Sequence, residues 1–96
     1  MKDDFFQALS HPCRREIIRL LKWRDLSAGE IAGHFDIAQP TVSRHLDVLK
    51  NAGIVTSRRR ANQVIYSLDL TAVQGMLVEI LDLLGRGEGE RRESEA

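Results

Sequence analysis

The sequence predicts a mainly α fold, five helices with one small β-hairpin (α+β), and three observations predict it. Apolar residues recur at three- and four-residue steps in several separate stretches, most clearly Val42, Leu46 and Leu49. After Gly53 the period falls from 3.6 to 2, the mark of paired strands. Pro12, Pro40 and Gly53 stand where helices begin or end, since proline suits a first turn and glycine a left-handed terminus. At 96 residues there is room for one small domain, expected over 1–84, with a disordered charged tail over 85–96. A core of that size is modest, and a second subunit would add to it.

Asp3 to Leu9 reads as a short helix with Phe5, Phe6 and Leu9 on its apolar side. Each Phe could contribute ~2–3 kcal/mol of burial, so this end of the chain is expected to be docked. Ser10-His11-Pro12 breaks and restarts the chain. The run CRREIIRLLKW then puts Ile17, Ile18, Leu20, Leu21 and Trp23 on an apolar face, with Arg14, Arg15, Arg19 and Lys22 outside. Arg24 to Leu26 is a connector with a short extended piece at Leu26. Ser27 caps the next helix, and Glu30 completes a capping box. In that brief helix Ile31, Ala32 and Phe35 face inward, and Asp36-Ile37-Ala38 makes a tight turn.

The stretch Ile37 to Gly53, IAQPTVSRHLDVLKNAG, follows. Val42, Leu46 and Leu49 form its buried stripe; Thr41, Arg44, Asp47 and Asn51 lie opposite, with Ser43 and His45 on the flanks. A short capped helix, a tight turn and this helix make a helix-turn-helix, in which the first helix braces the second across DNA. Beyond it, Val55, Ser57 and Arg59 share one strand face, and Val64, Tyr66 and Leu68 share another. The turn falls at Arg60-Ala61-Asn62, with Asn62 expected to take the positive φ. The tip Arg58-Arg59-Arg60 is cationic, and a basic hairpin directly after a helix-turn-helix is the wing of a winged-helix domain. Leu70 to Leu84 is the last helix, capped by Asp69 or Thr71. Val73, Met76, Leu77, Ile80 and Leu84 form one stripe, and Val78, Leu81 and Leu83 lie off it. That surplus points to a second subunit.

Fourteen basic and fourteen acidic residues cancel, and the pI near 6.8 is not that of a generally basic protein. The charge is segregated, however. Residues 39–60 hold Arg44, Lys50 and the three wing arginines against Asp47 alone, an excess of four positive charges. Such segregation fits double-stranded DNA as the partner. One cysteine excludes an intrachain disulfide framework and fits a reducing compartment. No leader and no apolar run long enough for a bilayer is read, so a cytoplasmic protein without membrane insertion is expected. No Ser/His/Asp set, glycine-rich phosphate loop or Cys–His pair is suggested, so an enzyme is not expected, nor any cofactor.

The pieces FQALSHPCRREIIRLL, LSAGEIAGHFDIAQPTVSRHLDVLKNAGIV and RRRANQVIYSLD together resemble the ArsR/SmtB family of bacterial winged-helix repressors over roughly residues 5–84. The resemblance implies a homodimer paired through the first and last helices, with Phe5, Phe6, Leu9, Val73, Met76, Leu77, Ile80, Leu81 and Leu84 at the interface. It also implies a pseudo-palindromic operator and release from DNA by an effector. The family's thiolate pair would fall at Ser27 and Gly29, before Glu30, and neither residue supplies a soft ligand. The last helix holds Glu79 and Asp82 but no histidine, and His11, His34 and His45 are scattered, so no metal site is expected. Within the family the chain looks most like the SdpR type, which lacks the metal motifs. Its effector, a partner protein, a membrane-linked signal, a small molecule or none, stays open.

For base edges the candidates are Gln39, Thr41, Ser43 and Arg44, because Gln can bond adenine, Arg guanine, and Thr or Ser either. His45 is assigned to phosphate or to the helix's own surroundings. Lys50, Arg58, Arg59 and Arg60 are assigned to phosphates or the minor groove, although alternation along a strand lets about two of the three wing arginines reach DNA. Asp47 either pairs with a cation or faces solvent. Cys13, near a helix start, is read as an inert small side chain, with a redox sensor as the sharper alternative. Two rival functions remain: a protein-interaction module using the last helix, and an effector-gated sensor.

Overall fold

The computed structural model describes residues 3–85, so the tail predicted over 85–96 lies, apart from Gly85, outside the described residues. Among the described residues the chain runs α1 (Asp3–Leu9), α2 (Pro12–Leu21), β1 (Leu26–Ser27), α3 (Ala28–Ala32), α4 (Gln39–Asn51), β2 (Val55–Arg60), β3 (Gln63–Leu68) and α5 (Leu70–Leu83). The hairpin gains a third strand, because β1 pairs antiparallel with β3 (Leu26 opposite Tyr66, Ser27 opposite Ile65), giving the order β1-β3-β2.

The core is centred on the inner face of α4. Val42, Leu46 and Leu49 are buried together with Phe5 and Ala8 of α1, Ile17 and Leu21 of α2, Leu26, Ile31, Ile54 and Val55. Both ends of α4 are set by local chemistry. Pro40 sits in the first turn, where its missing N–H costs nothing. At the other end Gly53 has φ +81°, its N–H bonds Lys50 O (3.0 Å), and the Ile54 N–H bonds Leu49 O (3.0 Å). These are the two bonds of a Schellman motif, closed by contact between buried Leu49 and Ile54. Asp69 N–H then bonds Ile54 O (2.9 Å), and Asp69, rather than Thr71, caps α5 by accepting from Ala72 N–H (3.0 Å).

Three expectations are corrected. Trp23 is not on the α2 face: the helix ends at Leu21, and the indole lies 83% exposed, with Lys22 Nζ 5.7 Å from its ring centroid. Arg14 is not outside. It is buried on the stripe of Ile17 and Leu21, three and seven residues ahead, with its donors bound to backbone and to His45. In the hairpin turn the positive φ falls on Ala61 (+55°), not Asn62. The strands end at Arg60 and resume at Gln63, so the turn is two residues long and Ala61 occupies its first position.

A Cβ at Gly53 would meet nothing within 4 Å, so its substitution has a purely conformational cost. Urea unfolding at fixed protein concentration should show Gly53→Ala losing ~1–2 kcal/mol. Ala61→Gly, which relieves a left-handed alanine, should gain roughly 0.5 kcal/mol despite the added unfolded-state freedom.

Candidate nucleic-acid interface

The roll of α4 decides which of its side chains can be used. With Val42, Leu46 and Leu49 turned into the core, Gln39, Pro40, Arg44, Asp47, Lys50 and Asn51 are exposed, and Thr41 and Ser43 half-buried beside them. His45 does not join them. It stands three residues after Val42 and four before Leu49, hence on the buried stripe, and only 9% of it is exposed. Its placement among the DNA-contacting residues is therefore corrected: its Nδ1 lies 3.1 Å from Arg14 Nη1, and its ring is 4.4 Å, centroid to centroid, from that of His11.

The short helix before α4 is held as its sequence dictates. Ser27 Oγ accepts from Glu30 N–H (3.0 Å), and Glu30 Oε1 accepts from Ser27 N–H (2.8 Å). The bond from the Ser27 N–H, above all, holds the Glu30 carboxyl below its ordinary value. The front of α4 and the wing tip then face each other across a hollow of about 310 Å³. Ser27, Ala28 and Gly29 line it at the start of α3, Gln39 at the start of α4, and Asn62, Gln63 and Val64 at the hairpin tip. Asn62 and Gln63 were missed as candidates for this surface. The signal was there, two long or turn-prone polar residues directly after three arginines.

On the wing the register places Ser57 opposite Tyr66 and Arg59 opposite Val64 on the face that carries buried Val55. Arg58 and Arg60 lie on the other face. Arg58 is engaged within the chain: its Nη1 donates to Asp25 Oδ2 (3.2 Å) and to Ser67 Oγ (3.0 Å). Exposed pairs of this kind contribute ~0–1 kcal/mol. Asp47 is exposed, the second of its two readings, and burial first, then the Asp47 carboxylate, pushes the Tyr66 phenol up.

The outer helices form a second surface. Val73, Met76 and Ile80 pack partly buried on the core, while Leu70, Leu77, Val78, Leu81, Leu83 and Leu84 are between 43% and 72% exposed, and Phe6 of α1 is 45% exposed. Between α1, α2 and α5 runs an apolar groove of about 340 Å³, bounded by Phe6, Leu9, Ile18, Leu70, Leu77 and Ile80 among others. Phe5, expected at a subunit interface, is buried in the chain's own core at 4% exposure, so that expectation is corrected.

The sequence profile described as "Bacterial regulatory protein, arsR family" matches residues 11–57, which span α2 to the middle of the wing. The transcriptional repressor SdpR of Bacillus subtilis is 38% identical over 88 residues, covering 92% of this chain and 98% of that protein. The chain belongs to the ArsR family. Another relative, the transcriptional activator HlyU of Vibrio cholerae, is 33% identical over 78 residues, 81% of this chain and 71% of its own. The solved ArsR-like transcriptional regulator from Rhodococcus sp. RHA1 superposes with a TM-score of 0.77 at 28% identity, over 96% of this chain and 85% of its own. The protein is accordingly a winged-helix, DNA-binding transcriptional regulator and not an enzyme.

In this ArsR-family chain the two positions where the resemblance puts thiolates serve other ends, since Ser27 is the cap of α3 and Gly29 lies in its first turn. Among the described residues no group of three or more His, Cys, Asp or Glu is placed to hold a metal ion, and no helix is long and apolar enough to cross a membrane. Cys13 is half-buried, and burial pushes its thiol up against the weaker pull of Arg14, which opposes the thiolate a redox sensor needs. The loose ion pair at the wing gives a test. Asp25→Asn should free Arg58 and steepen the salt dependence of DNA affinity by roughly one unit of log–log slope in a fluorescence-anisotropy titration. An unchanged slope would mean that Arg58 does not reach phosphate.

Proposed function

We propose that this regulator is a homodimeric repressor. Its two copies of α4 enter successive major grooves of a pseudo-palindromic operator, and its wings hold the flanking backbone. The observation that carries the reading is the exposed polar face of α4, with Gln39, Thr41, Ser43 and Arg44 grouped toward its front end beside the basic wing tip. Those four read base edges. Lys50 and Arg60 bind phosphate or the minor groove, and Arg58, on the same strand face as Arg60, joins them when it leaves Asp25, while Arg59 lies on the other face. Asn62 and Gln63 add neutral donors at the same tip. The relative named a repressor supports the direction of regulation, and the cytoplasm is the compartment where the DNA lies.

The dimer is supported by the apolar surface of α5 and the adjoining groove. An exposed leucine-rich face of this extent is unfavourable for a lone chain and is relieved by a second copy, the pairing arranged around a two-fold axis. Phe6, Leu9, Leu77, Leu81 and Leu84 meet the partner, while Val73, Met76 and Ile80 back the interface from the core side. The two recognition helices then lie about one helical turn apart on DNA, ~34 Å. The same face would also suit a different protein, and that second reading requires a monomer in solution.

Sedimentation should give twice the chain mass at micromolar concentration, with Leu77→Glu and Leu81→Glu together giving the monomer. A wild-type monomer would contradict the dimer and favour the interaction module. Against a duplex selected from a random-sequence library, Arg44→Ala should lose ~1–3 kcal/mol and relax preference at one base pair per half-site. Arg60→Ala should weaken all duplexes alike and lower the salt slope by about one.

A further inference from the structure

We propose that Arg14 and His45 are positioning residues for DNA reading: a buried guanidinium–imidazole bond sets the roll of α4, and it opens when His45 takes up a proton. The inference rests on α4 as the reading helix and extends it to residues that touch no DNA.

Arg14 joins three helices. From α2 its Nε donates to Ala8 O (2.9 Å) and its Nη2 to Gln7 O (3.0 Å), two carbonyls at the end of α1, while Nη1 reaches His45 Nδ1 on α4 at 3.1 Å. A guanidinium only donates, so Nδ1 must offer its lone pair and the imidazole proton must sit on Nε2. Only neutral His45, in that one tautomer, closes the bond. His11 reinforces the requirement. Its ring lies against His45, and its own Nδ1 accepts from Cys13 N–H (3.0 Å), capping α2.

Uptake of a proton from solvent at His45 Nδ1 consumes the lone pair that Arg14 uses. It also sets an imidazolium against a buried guanidinium whose hydrogen bonds all go to neutral acceptors. Burial first, then His11, Arg14 and Arg44, hold the imidazole below its ordinary value of 6.5. On the other elements packed against α4, Asp4 of α1 lines a hollow with Val48 and Asn51, Glu30 of α3 is bonded to Ser27, and Arg58 of β2 to Asp25. Asp47 of α4 itself acts on Tyr66. The sign follows from the lowered value. The bond contributes fully above pH 6.5 and is lost as pH falls through the depressed value of the folded state. Arg44 immediately precedes His45 in the chain, so a roll of α4 at His45 moves the side chain assigned to base contact.

The experiment measures affinity for a duplex selected by the wild-type protein from a random-sequence library at neutral pH, followed between about pH 8 and about pH 5. Wild type should lose roughly tenfold or more. His45→Asn keeps an acceptor but cannot titrate, and it should flatten the profile to about twofold. Arg14→Met should both weaken binding at neutral pH and flatten the profile, and the exposed control His34→Asn should keep the wild-type slope. A wild-type slope in His45→Asn overturns the proposal. Should either variant fail to fold, long-range 1H–15N imidazole spectra of the wild-type protein decide instead. An unprotonated Nδ1 at neutral pH that gains its proton as the α4 amide signals shift supports the bond. A protonated Nδ1 at neutral pH, or titration of His45 without movement of α4, overturns it.

Discussion

The rest of the structure depends on the burial of one helical stripe, Val42, Leu46 and Leu49. These side chains occupy the centre of the core, among residues of α1, α2, α3 and the start of the sheet, so folding itself fixes which face of α4 turns outward and leaves its fine roll to the polar contacts beside the stripe. A helix with 3.6 residues per turn cannot bury that stripe without turning Arg44, Asp47 and Asn51 outward. The surface proposed to meet DNA is thus a consequence of packing. Errors in the core become errors in reading, and the Schellman ending at Gly53 matters because it starts β2 in the direction that brings the wing back beside α4.

Charge follows the same geometry. The chain is neutral as a whole, yet its surplus cations are collected on α4 and the adjoining hairpin, where a phosphate backbone would run. The hairpin divides them by alternation: Arg59 goes to the core-side face, and Arg58 and Arg60 to the other. Asp25 engages Arg58 through an exposed pair at 3.2 Å, a bond of little strength. Most of the exposed apolar surface falls on α5 and Phe6, with Trp23 and Ile37 the exceptions. The polar face of α4 and the apolar face of α5 belong to different parts of one small domain, and Arg14 is bonded to α1 and α4 at once.

Much of this was legible from residue order. Pro40 and Gly53 bracketed α4 almost to the residue, Ser27 and Glu30 announced the capping box, and the change of period after Gly53 announced the wing. What escaped was polar chemistry inside the core. Arg14 and His45 both sit on apolar stripes by their spacing. Residue type argued for the surface in each case, and burial is tolerable because the two meet across 31 positions of sequence and Arg14 also donates to two carbonyls of α1. Trp23 failed for the opposite reason: the periodic pattern ran past the last helical turn, and an exposed indole followed. Ala61 took the left-handed conformation because the strands on both sides fixed a two-residue turn, overriding the better intrinsic fit of Asn62.

The central claim is that the outer face of α4 and the wing tip, and not the apolar outer helices, form the surface that meets DNA. Amide chemical-shift mapping on the labelled full chain, titrated with a library-selected duplex, tests it most directly. The account predicts that the largest shifts fall on residues 39–44 and 58–63, with the exposed leucines of α5 nearly unmoved. Shifts concentrated on α5 and the groove beneath it, with α4 silent, would contradict it.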